Sequence, residues 1–158
     1  MRNINKFEVV SRYYNKDGTT DIIIPKRQTT RSAGYDFYAP ENIILLPDVV
    51  YPVHTGIKVQ CNDYTYLAIA IRSSMAVKHG VGILNGYPVI DGDYYNNPDN
   101  EGEIIIPLYL LNGYPPYQIM KGERFAQGIF HIYGVTYNDK ETNVNKKREG
   151  GIGSTGIE

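Results

Sequence analysis

Residues 64–80 read YTYLAIAIRSSMAVKHG, and this stretch decides the fold. Its first half, residues 64–71, is apolar throughout and rich in β-branched and aromatic side chains, so it reads as a strand buried on both faces. Its second half opens with Arg72-Ser73-Ser74, and residues 73–79 form the one predicted helix of the chain, a short one. Working outward, the neighbouring segments repeat the strand signal. Residues 7–14 (FEVVSRYY) predict a strand, with Asp17-Gly18 as the turn after it. Residues 21–24 are short, apolar and ended by Pro25, and residues 26–33 form a polar loop. Residues 43–46 predict a strand closed by Pro47-Asp48. Residues 49–61 (VVYPVHTGIKVQC) are strand-like but broken by Pro52 and Gly56. Residues 80–90 are apolar and glycine-rich. Residues 103–111 (EIIIPLYLL) and 124–137 (RFAQGIFHIYGVTY) are the last strong strands, with Pro107 pointing to an edge strand or a bulge.

Many short strands with turn signals between them predict an all-β chain, an antiparallel sandwich or barrel. Composition agrees: 15 tyrosines, 16 glycines, 9 prolines and no tryptophan in 158 residues. There is no internal repeat and no second domain. Residues 1–137 are expected to form the core and residues 138–158 a polar, flexible tail. The net charge of −1 gives no reason to expect bulk attraction to nucleic acid or to an anionic membrane. A site for a charged ligand must then be local. The lone Cys61 excludes an intrachain disulfide framework and reads as a thiol of a reducing compartment. No run reaches membrane-span length and the first residues lack a signal-peptide core, so a cytoplasmic protein is expected.

Several segments carry chemistry. Residues 147–156 (KREGGIGSTG) offer free backbone N–H groups, one guanidinium and two hydroxyls, a set able to wrap a triphosphate. Asp36, in Ala33-Gly34-Tyr35-Asp36-Phe37, either holds a hydrated cation or caps a turn. Arg72, Ser73 and Ser74 form either a phosphate cradle at a helix start or a plain N-cap. Asp91, at the end of Pro88-Val89-Ile90, is either a general base acting on a water or a turn former with Gly92. Tyr94 can pack a planar ligand. In Lys121 to Gln127, Arg124 can pair with a carboxylate and Gln127 can reach a phosphate oxygen, or the segment is a bare hairpin. His54, His79 and His131 are scattered and make no metal-ligand spacing with the single cysteine.

The order of five segments is specific: AGYDFYA, RSSMAVKHG, NGYPVIDGDYY, KGERFAQ and REGGIGSTG. Together, over residues 33–156, they resemble the ordered motifs of the trimeric dUTPases. The long loop in DGDYYNNPDNEGEI resembles the Gram-positive bacterial and phage branch.

The resemblance implies a distorted antiparallel β-barrel or jelly roll, the β-clip of that family. It implies a homotrimer with active sites at subunit junctions and a mobile C-terminal tail. The implied reaction is hydrolysis of dUTP to dUMP and pyrophosphate by attack of water on the α-phosphorus, assisted by Mg²⁺ on the triphosphate. It would limit uracil in DNA and supply dUMP for dTMP synthesis.

By motif match, Asp91 resembles the base and Tyr94 the residue under the deoxyribose. Asn85, Val89, Ile90 and Ile105 resemble the uracil hairpin. Arg72, Ser73, Ser74 and Gln127 resemble the phosphate contacts, and Asp36 the carboxylate that touches the metal through water. Arg148, Gly153, Ser154 and Thr155 resemble the tail clamp, with Arg148 among the catalytic residues.

Two positions depart from the pattern. Ile152 stands where the family has a uracil-stacking phenylalanine, and Pro88 where the hairpin has glycine. Tyr95 is the replacement lid expected here, with Ile152 adding apolar contact. The alternatives are a deaminase of dCTP, whose glutamate has no counterpart in residues 104–108 (IIIPL), and a phage-type regulator that binds a host protein through residues 96–101.

Overall fold

The computed structural model describes residues 5–140 and is all-β apart from one α-helix and three short 3₁₀ turns. The strands in chain order are β1 (Lys6–Val9), β2 (Tyr35–Tyr38), β3 (Ile43–Leu45), β4 (Val50–His54), β5 (Ile57–Gln60) and β6 (Thr65–Ile71). After helix α1 (Ser73–His79) come β7 (Val81–Ile83), β8 (Val89–Ile90), β9 (Ile105–Leu110), β10 (Tyr117–Ile119) and β11 (Arg124–Ile132). Among the described residues they form a four-stranded sheet β2-β11-β6-β8, a three-stranded sheet β4-β9-β7, and the pairs β1-β5 and β3-β10. Every ladder between named strands is antiparallel.

Strand β6 lies inside the largest sheet, between β11 and β8. Leu67, Ala68 and Ile69 are successive and all buried, so both faces of the strand are covered, as its unbroken apolar sequence requires. Strand β9 instead alternates: Ile106, Leu108 and Leu110 point into the core while Ile105, Pro107 and Tyr109 are half-buried. Each buried Leu or Ile contributes about 2 kcal/mol by leaving water. Phe37 and Phe125 of the four-stranded sheet, Ile43 and Ile119 of the β3-β10 pair and Ile57 of β5 complete the core. Gly128 of β11 lets that core close: a Cβ there would sit 2.9 Å from the Phe37 ring and 3.0 Å from Leu67.

Helix α1 occupies residues 73–79 as expected. It ends at Gly80 in the left-handed region (φ 67°), whose N–H reaches the carbonyls of Met75 and Ala76.

Some expectations change. The strand expected over residues 7–14 stops at Val9, and Ser11–Tyr13 turn into a 3₁₀ helix. Residues 21–24 form no strand. The stretch 49–61 is two strands, split at Thr55-Gly56, where Gly56 takes φ 70°. Pro107 is neither at an edge nor in a bulge. It sits in the central strand of its sheet, in register with Pro52. Its backbone faces β7 just where that strand ends, and its carbonyl accepts the N–H of Leu84 (2.9 Å), so the missing donor interrupts little. Residues 137–140 form a 3₁₀ turn, and the hydroxyl of Thr136, just before it, donates to Asp139 (2.6 Å).

Candidate active site

The residues expected to meet phosphate gather at one end of the β2-β11-β6 sheet. Gln127 stands directly opposite Asp36, so both side chains emerge on one face. Arg124 lies three residues earlier and by simple alternation would point the other way. A bulge between Arg124 and Ala126 inserts Phe125, which is fully buried, and restores Arg124 to the face of Asp36. Arg124 Nη1 then donates to Asp36 Oδ2 at 3.1 Å. Arg72, one residue past β6, brings Nε to 3.6 Å from Asp36 Oδ1 and donates through Nη1 to the Arg124 carbonyl at 3.0 Å. Asp36 is 8% exposed, whereas the arginine side chains are 28% and 39% exposed. One nearly buried carboxylate thus aims two guanidiniums at a common surface. Gly34 leaves room for this arrangement, because a Cβ there would overlap Oε1 of Gln127.

The two serines do not cap α1. Arg72 takes the cap position in an extended conformation (φ −69°, ψ 139°) with no side-chain cap bond, and Ser73 and Ser74 are exposed. Asp36 caps no turn either, since it is a strand residue bridged to Lys26.

The hairpin residues lie elsewhere. Asn85, Val89, Ile90, Tyr94 and Ile105 line one cleft of ≈ 150 Å³, with Pro88, Glu103 and Pro107. Pro88 is buried and its carbonyl accepts the Ile69 N–H (3.0 Å), tying the hairpin to mid-β6. Tyr94 is wedged beneath. Its hydroxyl donates to the Glu103 carbonyl (3.3 Å) and receives Asn100 Nδ2 (2.8 Å). Gly102, with φ 78°, passes so close that a Cβ would overlap the Tyr94 carbonyl.

Asp91 is exposed and precedes the 3₁₀ turn Gly92–Tyr94 rather than forming a two-residue hairpin turn with Gly92. It lines a separate hollow with Cys61, Asn62, Asp63, Thr65 and Tyr133. Burial, with Asp91 nearby, pushes the Cys61 thiol up to about 11.

Within one chain these groups are far apart. Ile90 pairs with Leu67, so Asp91 stands beside Tyr66, while Arg72 follows the other end of the strand. Six residues of extended chain span about 20 Å. One chain therefore does not bring Asp91 to Arg72, Asp36 and Gln127.

Tyr95 is a correction. It does not line the hairpin cleft. Its hydroxyl donates to Glu8 and its ring stands 5.3 Å from Lys58 Nζ, in a different hollow. Tyr94, the last residue of the 3₁₀ turn, lines the hairpin cleft, whereas Tyr95, just past that turn, lines the other hollow. The loop 96–101 is also fastened inward. Lys58 Nζ donates to Asn96 (2.7 Å) and Glu101 (3.2 Å), and the Ser11 N–H reaches Glu101 at 3.2 Å. Arg148, Ile152, Gly153, Ser154 and Thr155 lie outside the described residues.

Sequence reasoning missed Glu103. Its side chain is wholly buried and meets Arg12, Tyr13 (2.8 Å), His54 (3.1 Å) and the Gly56 N–H (3.0 Å). The available signal was an acid set directly against the fully apolar run 104–106. Among the described residues, no group of three or more His, Cys, Asp or Glu can hold a metal. No described helix is long and apolar enough to cross a membrane.

A paired-arginine face and a small cleft thus stand on one antiparallel β scaffold. The dUTPase family model matches residues 20–156, and the chain belongs to that family. The deoxyuridine 5'-triphosphate nucleotidohydrolase of Lactococcus lactis is 40% identical over 153 residues, covering 97% of this chain and 98% of the relative. The crystal structure of dUTPase from Streptococcus mutans superposes with a TM-score of 0.72 at 33% identity, covering 82% of this chain and 97% of that one. A dUTPase mutant from phage phi11 of S. aureus, described with a structural Mg(II) ion, shares the fold at 18% identity (TM-score 0.63, 85% and 94% covered).

Proposed function

We propose that the chain hydrolyses dUTP to dUMP and pyrophosphate, at sites that each combine residues from different copies in a homotrimer. The observation that carries this reading is the separation of Asp91 and Tyr94 from Asp36, Arg72 and Gln127 along β6. A triphosphate lying against the two arginines of one copy meets the hairpin cleft only if that cleft comes from another copy.

The roles follow from the chemistry. Arg72, with Ser73, Ser74 and Gln127, receives phosphate oxygens, and Asp36 keeps Arg72 and Arg124 aimed. The cleft takes one flat ring, read by Asn85 and main chain, with Val89, Ile90 and Ile105 as apolar walls. Tyr94 fills the space a ribose 2′-hydroxyl needs. Asp91 accepts a proton from the attacking water, and its neighbours orient that water towards the α-phosphorus. Mg²⁺ would arrive on the triphosphate, neutralise part of its charge, and meet the Asp36 carboxylate through water, an oxygen donor that suits a hard cation. Asp36 is already bonded to Arg124, which leaves it poorly placed for direct ligation. Arg148, Gly153, Ser154 and Thr155 close over the β- and γ-phosphates, and Ile152 covers the base from the tail.

The activity fits a cytoplasmic nucleotide pool, where removing dUTP keeps uracil out of DNA and yields dUMP for dTMP synthesis. Deamination of dCTP is disfavoured, because residues 104–108 carry no acid and Glu103, just before them, is committed to four polar groups with no exposed side-chain surface.

Pyrophosphate release from dUTP beside dTTP, dCTP and UTP tests the reading. Turnover of dUTP alone is expected, and comparable turnover of UTP rejects it. Removing residues 148–158 should leave folding intact and abolish most turnover.

A further inference from the structure

We infer that Glu103 is a positioning residue for Tyr94 and so sets the preference for deoxyribose over ribose. The inference rests on the dUTP reading above.

A wholly buried carboxylate is costly unless its oxygens are matched, and an ion pair in such a place is often replaceable by apolar residues without loss of stability. Four groups from separate parts of the chain converge on this one: Arg12 and Tyr13 from the 3₁₀ turn after β1, His54 from the end of β4, and the N–H of Gly56 from the turn before β5. Gly56 is itself confined, since its φ is 70° and a Cβ would sit 2.9 Å from the Ile22 side chain.

What these contacts fix is the main chain at residue 103. The next residue is locked too: the Ile104 N–H donates to Ile57 (2.8 Å), and its carbonyl accepts the Thr55 hydroxyl (2.7 Å). The Glu103 carbonyl that results is the acceptor for the Tyr94 hydroxyl. Tyr94, Glu103 and Ile105 line the same cleft. The chain of contact therefore runs from Arg12 and Tyr13 through the carboxylate to the backbone, and from the backbone to the ring that meets the sugar. A ring that excludes one hydroxyl discriminates only as well as its position is held, and displacements well below 1 Å matter there.

The experiment compares kcat/KM for dUTP and UTP in the full chain and in Glu103→Gln, Arg12→Met, Tyr94→Phe and the Glu103→Gln/Tyr94→Phe double variant, with Tm for each. Glu103→Gln should lower the dUTP:UTP preference about tenfold. Tyr94→Phe should do the same, and the double variant should lose no more than the larger single one, because both act through one contact. Arg12→Met, whose side chain is 48% exposed, should shift the preference in the same direction by less.

A lowered Tm with the preference unchanged in Glu103→Gln overturns the inference and leaves Glu103 a structural staple. Should Glu103→Gln fail to fold, an unchanged preference in Arg12→Met overturns it as well. A wild-type chain that leaves dUTP intact overturns the dUTP reading along with it, and that result is seen before any variant is made.

Discussion

Arg124 donates to Asp36 across two adjacent strands at 3.1 Å, and it reaches that carboxylate only because Phe125 is bulged out of the ladder. The bulge gives one residue to the core and turns its neighbour to the surface. Asp36 then serves Arg72 from the other side at 3.6 Å. A carboxylate shared by two guanidiniums offsets one of their two positive charges, so its value lies in direction more than in charge.

Asp36→Asn keeps the size and one acceptor oxygen but releases Arg72. We expect kcat/KM for dUTP to fall by about tenfold or more, with a small change in Tm because both arginines remain solvated. Steady-state kinetics and a melting curve check this. Unchanged kinetics would mean that the arginines need no carboxylate to aim them.

The separation along β6 gives a sharper test. If Asp91 acts as the proposed base, Asp91→Asn should cut turnover by a factor on the order of 10² or more. Arg72→Ala should also be nearly inactive. If each site takes Arg72 from one copy and Asp91 from another, refolding the two variants together at equal amounts makes about a quarter of the sites wild-type in both residues. Activity should recover to about that fraction of the wild-type value. A mixture no more active than its parts would place both residues of a site in one chain.

How much of this was legible in the sequence depends on the kind of signal. Residues 64–71 announced themselves because a strand covered on both faces must be apolar at every position, and Leu67, Ala68 and Ile69 are. Helix 73–79 was legible as the segment that Arg72-Ser73-Ser74 opens after the buried strand. Asn85, Val89, Ile90, Tyr94 and Ile105 were named from the order of motifs, and they share one cleft. The bulge at Phe125 was not legible, since local sequence sets alternation and only the partner strand shows where it slips. The central place of Pro107 was hidden for a similar reason: which side of a strand lacks a partner is a tertiary fact. Glu103 was overlooked because its partners, Arg12, Tyr13 and His54, lie 49 to 91 residues away in sequence.

Cys61 offers a pH test beside Asp91. Burial disfavours the thiolate, so the thiol is held up at about 11 against an ordinary 9.0. The folded chain therefore carries a neutral thiol through pH 7–9, and thiolate appears only as pH rises towards the folded value. Alkylation by iodoacetamide at pH 8 should run about a hundredfold slower than in the chain unfolded by urea, which is the ratio of the thiolate fractions in the two states. It should accelerate above pH 9. Equal rates in the two states would show that the thiol is as exposed to solvent as in the unfolded chain.

Tyr95 provides the last prediction. Its identity and its place beside Tyr94 invite the reading of a lid on the base, in a chain that has Ile152 where its family has phenylalanine. Its contacts say otherwise. The hydroxyl is taken by Glu8 of β1, and the ring lies against the Lys58 ammonium of β5, so this side chain fastens the long loop to the β1-β5 pair. The Glu8 carboxyl is held below the usual range by Lys6 and then by the Tyr95 hydroxyl, which keeps it an acceptor at neutral pH. Tyr95→Ala should therefore leave the affinity for a non-hydrolysable dUTP analogue within about twofold, while Tyr94→Ala lowers it by about tenfold or more. The cost of Tyr95→Ala should appear instead as faster amide exchange over residues 95–102, where the loop has lost its tie to β1. A titration in which Tyr95→Ala loses as much affinity as Tyr94→Ala would return the ring to the base, and would require Tyr95 to leave Glu8 when the nucleotide binds.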